Sequence, residues 1–175
     1  MPALLRSDAE IAASITCLIT DVDGVMTDGR IIYDGNGVET KCFHVRDGLA
    51  IKLWMNSDFH FGILTSRKSD IVAKRAGELG VKQVAQGHAK KTPAAAEMIK
   101  AFGCRYDQVC YIGDDLPDLP VMKAVGLAVA PADAALDARE TANWILRSKG
   151  GEGALRETIE RLLRAKKRWE EHLPE

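Results

Sequence analysis

Strand-like and helix-like segments alternate along most of this chain, and this alternation constrains the fold more than any other feature of the sequence. Short apolar runs of strand length are followed by segments with helix signals. Gly80 and Gly103 stand where two predicted helices end, and Pro93 stands at the first position of one. Such alternation implies a parallel sheet covered on both faces. The sequence therefore predicts an α/β fold, a doubly wound and Rossmann-like parallel sheet.

The boundaries of the predicted elements follow from the same signals. The predicted strands span 15–19, 59–64, 81–85, 108–112, 126–130 and 143–146. The predicted helices span 47–56 with Asp47 as the cap, 69–79, 92–102, 116–124, 132–139 and a C-terminal stretch of about 151–170. Ser7 or Asp8 is a candidate cap for the short lead-in at 1–14. The glycine-rich stretch 150–153 is expected to be a flexible joint.

A β-hairpin is expected between the first strand and the first long helix. The β-rich runs 30–33 and 38–43 flank a turn, 34–37, of sequence Asp-Gly-Asn-Gly. This arrangement is a strong hairpin signal. The hairpin, a flap of about 29–43, is the one insertion in an otherwise direct strand-to-helix connection.

Composition places the chain among ordinary globular proteins. A length of 175 residues fits a single domain, 1–175. The net charge of −1 argues against a nucleic-acid partner or a membrane surface. We expect a cytoplasmic protein, since the sequence shows no membrane-spanning run and no signal peptide. Its cysteines form no C-x-x-C pair and are expected to be reduced thiols: Cys17, Cys42, Cys104 and Cys110.

Two aspartates close the first predicted strand. Asp21 and Asp23 are two residues apart, so an extended backbone points both side chains to the same side. Gly24 lets the chain turn away sharply. Ligands of open α/β sheets bind at the carboxyl ends of strands. On its own, the motif fits either a metal-assisted phosphoryl-transfer site with Asp21 as nucleophile or an aspartate-rich turn that caps the next element.

Three further features follow predicted strands. Thr65, Ser66 and Arg67 come directly after 59–64, Lys91 precedes the helix at 92–102, and a Gly-Asp-Asp-Leu-Pro-Asp run at 113–118 follows 108–112. Each has an ordinary alternative: a helix cap, a surface lysine or a turn. Their joint occurrence at strand ends favours one shared site over separate coincidences.

The chemistry that these residue types suit is phosphate-ester hydrolysis, whose transition state is highly charged. Magnesium prefers oxygen ligands, which Asp21 and Asp114 offer as carboxylates and Asp23 as a backbone carbonyl. Thr65 is suited to donate a hydrogen bond to the phosphoryl group, and Lys91 to neutralise charge. Asp23 is suited to protonate the leaving alkoxide and then to activate water against an aspartyl-phosphate.

The order of these motifs, D-x-D-G-V, T-S-R, K and G-D-D-x-x-D, resembles the haloacid dehalogenase superfamily of aspartate-nucleophile phosphatases. More narrowly, the stretches 43–48, 86–87, 113–118 and 150–157 are similar to the phosphatases of 3-deoxy-D-manno-octulosonate 8-phosphate. The resemblance runs from about residue 15 to residue 163. It implies a capless, magnesium-dependent homotetramer that makes a lipopolysaccharide sugar in the cytoplasm, with hairpins packed between subunits.

The resemblance also implies substrate contacts. These would be Asp23, His44, Val45, Arg46, Asp47, Gly48, Lys52, Ser66, Arg67, Arg75 and Lys91, with Asp115 and Asp118 in support. The chain departs from the family pattern at Ser66, where glycine is usual, at His44, where asparagine is commoner, and at Glu152, where some members have arginine. These departures leave the exact sugar acid open.

Three alternatives remain at this stage. The nearest alternative is a phosphatase for a nine-carbon sugar acid 9-phosphate (a nonulosonate). Arg67 suits the octulosonate enzymes, whereas a glutamate at this position would resemble the nonulosonate enzymes. A phosphorylation-dependent receiver domain is disfavoured by the spacing of Asp21 and Asp23. A catalytically silent regulatory domain is disfavoured because every catalytic residue type is present.

Overall fold

The structure is a computed structural model, and it describes residues 7–174. The strands are β1 (Cys17–Thr20), β2 (Ile32–Tyr33), β3 (Glu39–Thr40), β4 (His60–Thr65), β5 (Gln83–Gln86), β6 (Val109–Ile112), β7 (Leu127–Ala130) and β8 (Trp144–Ile145). The α-helices are α1 (Asp8–Ser14), α2 (Val45–Asn56), α3 (Asp70–Leu79), α4 (Lys91–Ala101), α5 (Leu119–Met122), α6 (Leu136–Thr141) and α7 (Ala154–Ala165). Short 3-10 turns lie at Tyr106–Gln108, Leu116–Asp118 and Glu170–His172.

Six strands form one parallel sheet in the order β5-β4-β1-β6-β7-β8. Strand β1 is buried along its whole length because helices cover both faces. Leu18 packs into a core shared with α1, α2, α3 and α7, whereas Cys17 and Ile19 pack into a second core with α4, α5 and α6. The predicted doubly wound fold is confirmed.

The order of the sheet fixes where its carboxyl ends meet. Strand β1 pairs with β4 on one side and with β6 on the other, so Thr20 lies between Ile63 and Ile112. After β4 the chain continues outward to β5, and after β6 it continues outward to β7 on the other side of β1. Such opposite connections open a crevice beyond the end of β1. The residues that follow β1, β4 and β6 therefore surround one point.

The hairpin is present but shorter than predicted. Only two residue pairs of β2 and β3 form the antiparallel ladder, apart from the main sheet. Asp34 closes the turn because its Oδ1 accepts hydrogen bonds from the backbone N–H groups of Asn36 (2.8 Å) and Val38 (2.9 Å). The hairpin leaves four large apolar side chains exposed: Ile31, Ile32, Tyr33 and Val38.

The predicted cap of α2 was wrong. The helix begins at Val45, and His44 caps it by accepting the N–H of Arg46 on Nδ1 (3.2 Å). Asp47 lies inside the first turn and is buried, where its Oδ1 accepts the N–H of Arg156 (2.7 Å). Burial raises the pKa of Asp47, against the opposing effect of this hydrogen bond. Asp47 thus joins α2 to the first turn of α7.

Other boundaries differ from the predictions. Helix α4 begins at Lys91 rather than after Thr92. The predicted helix 116–124 is a 3-10 turn followed by the single-turn α5. Helix α6 begins later than predicted. Helix α7 occupies the middle of the predicted 151–170. Ser7, one of the two predicted candidates, caps α1 through a reciprocal pair of hydrogen bonds with Glu10.

The expected flexible joint at 150–153 is a packed turn. A Cβ on Gly150 would lie 2.0 Å from the carbonyl oxygen of Gly24, so only glycine fits there. The N–H of Gly151 donates to the carbonyl of Val25 (2.9 Å), and that of Gly150 to Asp133 Oδ1 (2.9 Å). The turn therefore braces the loop that follows β1.

All four cysteines are free thiols; Cys17 and Cys110 are buried and Cys42 is exposed. Within residues 7–174, no helix is both long enough and apolar enough to cross a bilayer.

Candidate active site

Asp21 is the first residue after β1 and is almost buried. Its N–H donates to the carbonyl of Ile112 (2.9 Å), which holds the backbone against β6. The ammonium of Lys91, at the start of α4, lies 2.9 Å from Asp21 Oδ1 and 2.6 Å from Asp118 Oδ1. Only 2% of Lys91 is exposed, so its charge is balanced by these carboxylates rather than by water.

Asp118 organises the loop after β6. Its Oδ1 accepts hydrogen bonds from Lys91 and from the hydroxyl of Tyr111 (2.6 Å), and its Oδ2 accepts the N–H groups of Asp114 (3.0 Å) and Asp115 (3.2 Å). Sequence reasoning missed Tyr111. A tyrosine inside an apolar strand is a signal that could have found it, because a buried hydroxyl needs a partner.

Three carboxyl groups crowd together at this point. Ligand oxygens of Asp21, Asp114 and Asp118 lie within 4.8 Å of one another. Burial, and then repulsion from Asp118, raises the pKa of Asp21 to about 6 although Lys91 opposes the rise. Burial, and then repulsion from Asp21 and Asp118, raises the pKa of Asp114 to about 8. A cluster this acidic is more stable with a cation beside it.

The donor set fits magnesium, which binds carboxylate and carbonyl oxygens. Both carboxylate oxygens of Asp118 accept hydrogen bonds from the protein, so Asp21 and Asp114 are better suited to bind the magnesium ion. Gly24 makes room for this geometry: it has a φ of +89°, and a Cβ there would lie 2.0 Å from Asp114 Oδ2. Any larger residue would push Asp114 away from Asp21.

A cavity of about 310 Å³ opens over these carboxylates. It is lined by Asp21, Asp23, Gly29, Thr65, Ser66, Arg67, Lys91, Asp114, Asp115, Pro117 and Asp118. Ser66 Oγ and Arg67 Nη1 are buried here without a hydrogen-bond partner in residues 7–174. Unpaired buried donors are costly unless a ligand completes them. We call Asp21, Thr65, Lys91, Asp114 and Asp118 the strand-end cluster.

The hairpin adds two residues that sequence reasoning missed. Lys41 Nζ contacts Asp23 Oδ1 directly and lies 3.5 Å from Glu39 Oε1. Arg67 reaches the same group, with Nη2 2.7 Å from Glu39 Oε1 and Nη1 3.9 Å from Asp23 Oδ1. We call Asp23, Glu39, Lys41 and Arg67 the charge ring. Burial opposes ionisation of Glu39, but Lys41 and Arg67 outweigh it and lower its pKa.

The structure does not bring the remaining predicted substrate contacts to this cavity. His44 and Arg46 line a different and larger cavity, of about 730 Å³, beside α1 and α7. Val45 and Lys52 are exposed on α2. Within one chain, these positions are therefore separate from the strand-end cluster.

Arg75 is also directed elsewhere. A Cβ on Gly48 would lie 2.3 Å from Arg75 Nη2, so the guanidinium rests against the first turn of α2. Its carbon Cζ is 5.9 Å from the centre of the Phe43 ring, and Nη1 is 3.1 Å from Glu78 Oε2. Arg75 packs between α2 and α3 rather than over the cavity.

The fold and the site define a haloacid dehalogenase-like hydrolase. The model of that family matches residues 61–157, which is more than half of the chain. The match confirms the resemblance carried by the motifs, and it supports the enzyme over the receiver and the silent regulatory domain.

The relatives narrow the class further. The 3-deoxy-D-manno-octulosonate 8-phosphate phosphatase of Yersinia pestis is 44% identical over 159 residues, covering 91% of this chain and 85% of the relative. The crystal structure of the Moraxella catarrhalis phosphatase, in complex with magnesium ion, phosphate ion and KDO, is 35% identical with a TM-score of 0.91 and covers 94% of each chain.

The cobalt-bound Haemophilus influenzae phosphatase is 39% identical with a TM-score of 0.90, covering 94% of this chain and 96% of that one. The chain belongs to the 3-deoxy-D-manno-octulosonate 8-phosphate phosphatase family, whose members are phosphoric monoester hydrolases.

Proposed function

We propose that this protein hydrolyses 3-deoxy-D-manno-octulosonate 8-phosphate to the free sugar acid and phosphate, with magnesium, through an aspartyl-phosphate on Asp21. The observation that carries the proposal is the strand-end cluster, in which a nucleophile, a buried lysine and a second carboxylate share one cavity at the end of β1. The proposed substrate is the one for which the relatives are named. In this role the enzyme serves lipopolysaccharide synthesis.

In the first step, a carboxylate oxygen of Asp21 attacks phosphorus as the bond from phosphorus to the sugar oxygen breaks. Asp23 gives a proton to the departing alkoxide, which leaves as the free sugar acid. Thr65 and Ser66 line the cavity and would donate hydrogen bonds to the phosphoryl oxygens, and Lys91 would offset negative charge on Asp21 and on the phosphoryl group.

In the second step, water attacks the aspartyl-phosphate. Asp23, now a carboxylate, takes a proton from that water, the bond from phosphorus to Asp21 breaks, and inorganic phosphate leaves. Two displacements in line restore the starting enzyme.

Magnesium, when bound, neutralises the phosphate and the nucleophile so that the two anions can approach. Asp21 and Asp114 would hold it with their carboxylates and Asp23 with its carbonyl. The raised pKa of Asp114 supports this role, because a cation relieves the crowding of carboxylates that raises it. Asp115 and Asp118 support the loop: the Asp115 side chain accepts the N–H of Leu116 (2.8 Å).

We further propose a homotetramer in the cytoplasm. The exposed apolar side chains of the hairpin support this, since an isolated two-stranded hairpin is marginal in water and these groups need a partner. Association would let the first turn of α2 (His44, Val45, Arg46, Asp47 and Gly48), together with Lys52 and Arg75, approach the cavity of a neighbouring subunit. Arg67 would contact the sugar acid from within the same chain.

The test is phosphate release from a panel of substrates at saturating magnesium. The panel contains octulosonate 8-phosphate, a nonulosonate 9-phosphate, a neutral sugar phosphate and p-nitrophenyl phosphate. We expect the highest kcat/KM on octulosonate 8-phosphate. A higher kcat/KM on the nonulosonate ester would replace the proposed substrate, and no magnesium-dependent release from any ester would overturn the proposed chemistry.

A further inference from the structure

The charge ring makes strand β3 part of the site, although the sequence marks β3 only as one half of a hairpin. Glu39 lies in β3 and Lys41 is the first residue after it. Glu39 pairs with Arg67 and Lys41 with Asp23, and both of these partners line the cavity. Thr40, between Glu39 and Lys41, is exposed to solvent.

Lys41 is buried to an extent that is unusual for a hairpin lysine. Its side chain is 1% exposed, while large apolar side chains of the same hairpin stay open to solvent. A lysine loses hydration on burial and regains stability only through close partners. Here these partners are the carboxylates of Asp23 and Glu39. The cost of burial points to a specific role for the contact with Asp23.

Glu39 constrains Arg67 in a similar way. The guanidinium is a planar fork, so a contact that holds one nitrogen also sets the direction of the other. Glu39 pairs with Nη2, while Nη1 is buried without a hydrogen-bond partner in the described chain and Arg67 lines the cavity. Arg67 thus keeps a donor for an anionic group of a ligand.

We propose that Glu39 and Lys41 are positioning residues of this active site: Glu39 orients Arg67 towards the carboxylate of the substrate, and Lys41 holds the carboxylate of Asp23 in place for proton transfer. The proposal rests on the proposed function for the roles of Asp23 and Arg67. It makes the hairpin a link between recognition of the sugar acid and the proton-transfer group.

The first test separates recognition from chemistry at Glu39. Glu39→Gln keeps the size of the side chain and removes its charge. We expect the KM for octulosonate 8-phosphate to rise about fivefold, a loss within the range of one charged hydrogen bond. The KM for p-nitrophenyl phosphate, which lacks a carboxylate, should stay within about twofold. Both kcat values should fall by less than the roughly tenfold loss expected for Lys41→Met, because Lys41 keeps its contact with Asp23.

The second test addresses Lys41. Lys41→Met should lower kcat about tenfold on both esters with little change in KM, a fraction of the full effect of a general acid–base group. p-Nitrophenolate leaves without a proton, so in Lys41→Met the first step stays fast on that ester. The second step slows, because Asp23 must take a proton from the attacking water. Acid quenching at steady state should therefore recover more phosphate bound to Asp21 than in the unaltered enzyme. Lys41→Arg should restore at least half of the lost kcat.

Thr40→Val is the matched control, since it changes an exposed residue that lies between Glu39 and Lys41. Subunit number by light scattering and melting temperature are measured for every variant. Equal kinetic losses in Glu39→Gln, Lys41→Met and Thr40→Val, or losses that follow subunit number, would overturn the proposal in favour of a purely structural hairpin. Unchanged kinetics at Glu39 and Lys41 would overturn it as well.

A failure of the proposed function is distinguishable from a failure of this inference. If the unaltered protein hydrolyses p-nitrophenyl phosphate but not octulosonate 8-phosphate, the substrate is wrong. The Lys41 arm still gives its result on p-nitrophenyl phosphate, and the Glu39 arm is then run on the nonulosonate 9-phosphate, the other ester of the panel that carries a carboxylate.

Discussion

The strand-end cluster and the hairpin with the first turn of α2 differ in how the fold holds them. Asp21 is fixed by the sheet, because its backbone bonds to β6 and its side chain meets a buried lysine. The hairpin has a ladder of two residue pairs and touches the site through side-chain charges. The proposed nucleophile therefore stands at the end of a buried strand, whereas the hairpin reaches the site only through side chains that contact Asp23 and Arg67.

The largest effect is expected from a change of the proposed nucleophile. Asp21→Asn keeps the shape of the side chain but removes the attacking oxygen anion. We expect kcat to fall by at least about a thousandfold, with a normal melting temperature. The control is Asp137→Asn, an exposed aspartate in the first turn of α6. Turnover of Asp21→Asn within tenfold of the unaltered enzyme would remove Asp21 from the mechanism.

The next effect concerns the metal. Asp114→Ala removes one carboxylate from the cluster, so the magnesium concentration for half-maximal activity should rise at least about tenfold, since even outer-shell changes cost that much. Asp137→Ala should leave the requirement unchanged. A normal magnesium titration of Asp114→Ala would show that Asp114 is not a ligand.

A smaller effect is expected on the side of the site that selects the substrate. Arg67→Ala should raise KM for octulosonate 8-phosphate about tenfold or more, because a charged hydrogen bond is lost, while KM for p-nitrophenyl phosphate changes far less. Arg105→Ala is the control, since Arg105 pairs with Asp107 at the surface. Equal losses on both esters would assign Arg67 to the phosphate or to the fold.

The smallest effect is on stability. The pKa of Asp21 is raised from 3.8 to about 6, and that of Asp114 from 3.8 to about 8. Between pH 3.8 and about pH 8, the metal-free native protein therefore binds more protons than the unfolded chain. Its melting temperature should therefore fall as pH rises from about 4 to about 8. Magnesium should stabilise it more at pH 8 than at pH 5. Asp114→Asn should flatten the slope, and a melting temperature that rises through this window would contradict the account.

The two regions also differ in how much the sequence could predict. Thr65 ends β4, Asp21 follows β1 and Asp114 lies two residues beyond β6, so local pattern and strand order suffice to bring them together. The role of Asp47 could not be predicted, because its partner Arg156 lies 109 residues away and only the packing of α7 on α2 creates the contact.

Glu39 and Lys41 escaped prediction for a related reason. Charged residues on a short hairpin are typical of a solvated surface, and their contacts with Arg67 and Asp23 depend on how the hairpin folds back over β1 and β4. The structure places Ser66 in the cavity and His44 at the cap of α2.

The central claim, that Asp21 takes the phosphoryl group before water does, is tested most directly by the stereochemistry at phosphorus. The substrate is an ester whose thiophosphoryl group is chiral through two oxygen isotopes, hydrolysed in water that carries the third isotope. The configuration of the released thiophosphate counts the displacements. Two successive in-line displacements predict retention of configuration. Inversion would mean that water attacks the ester directly, and it would contradict the account.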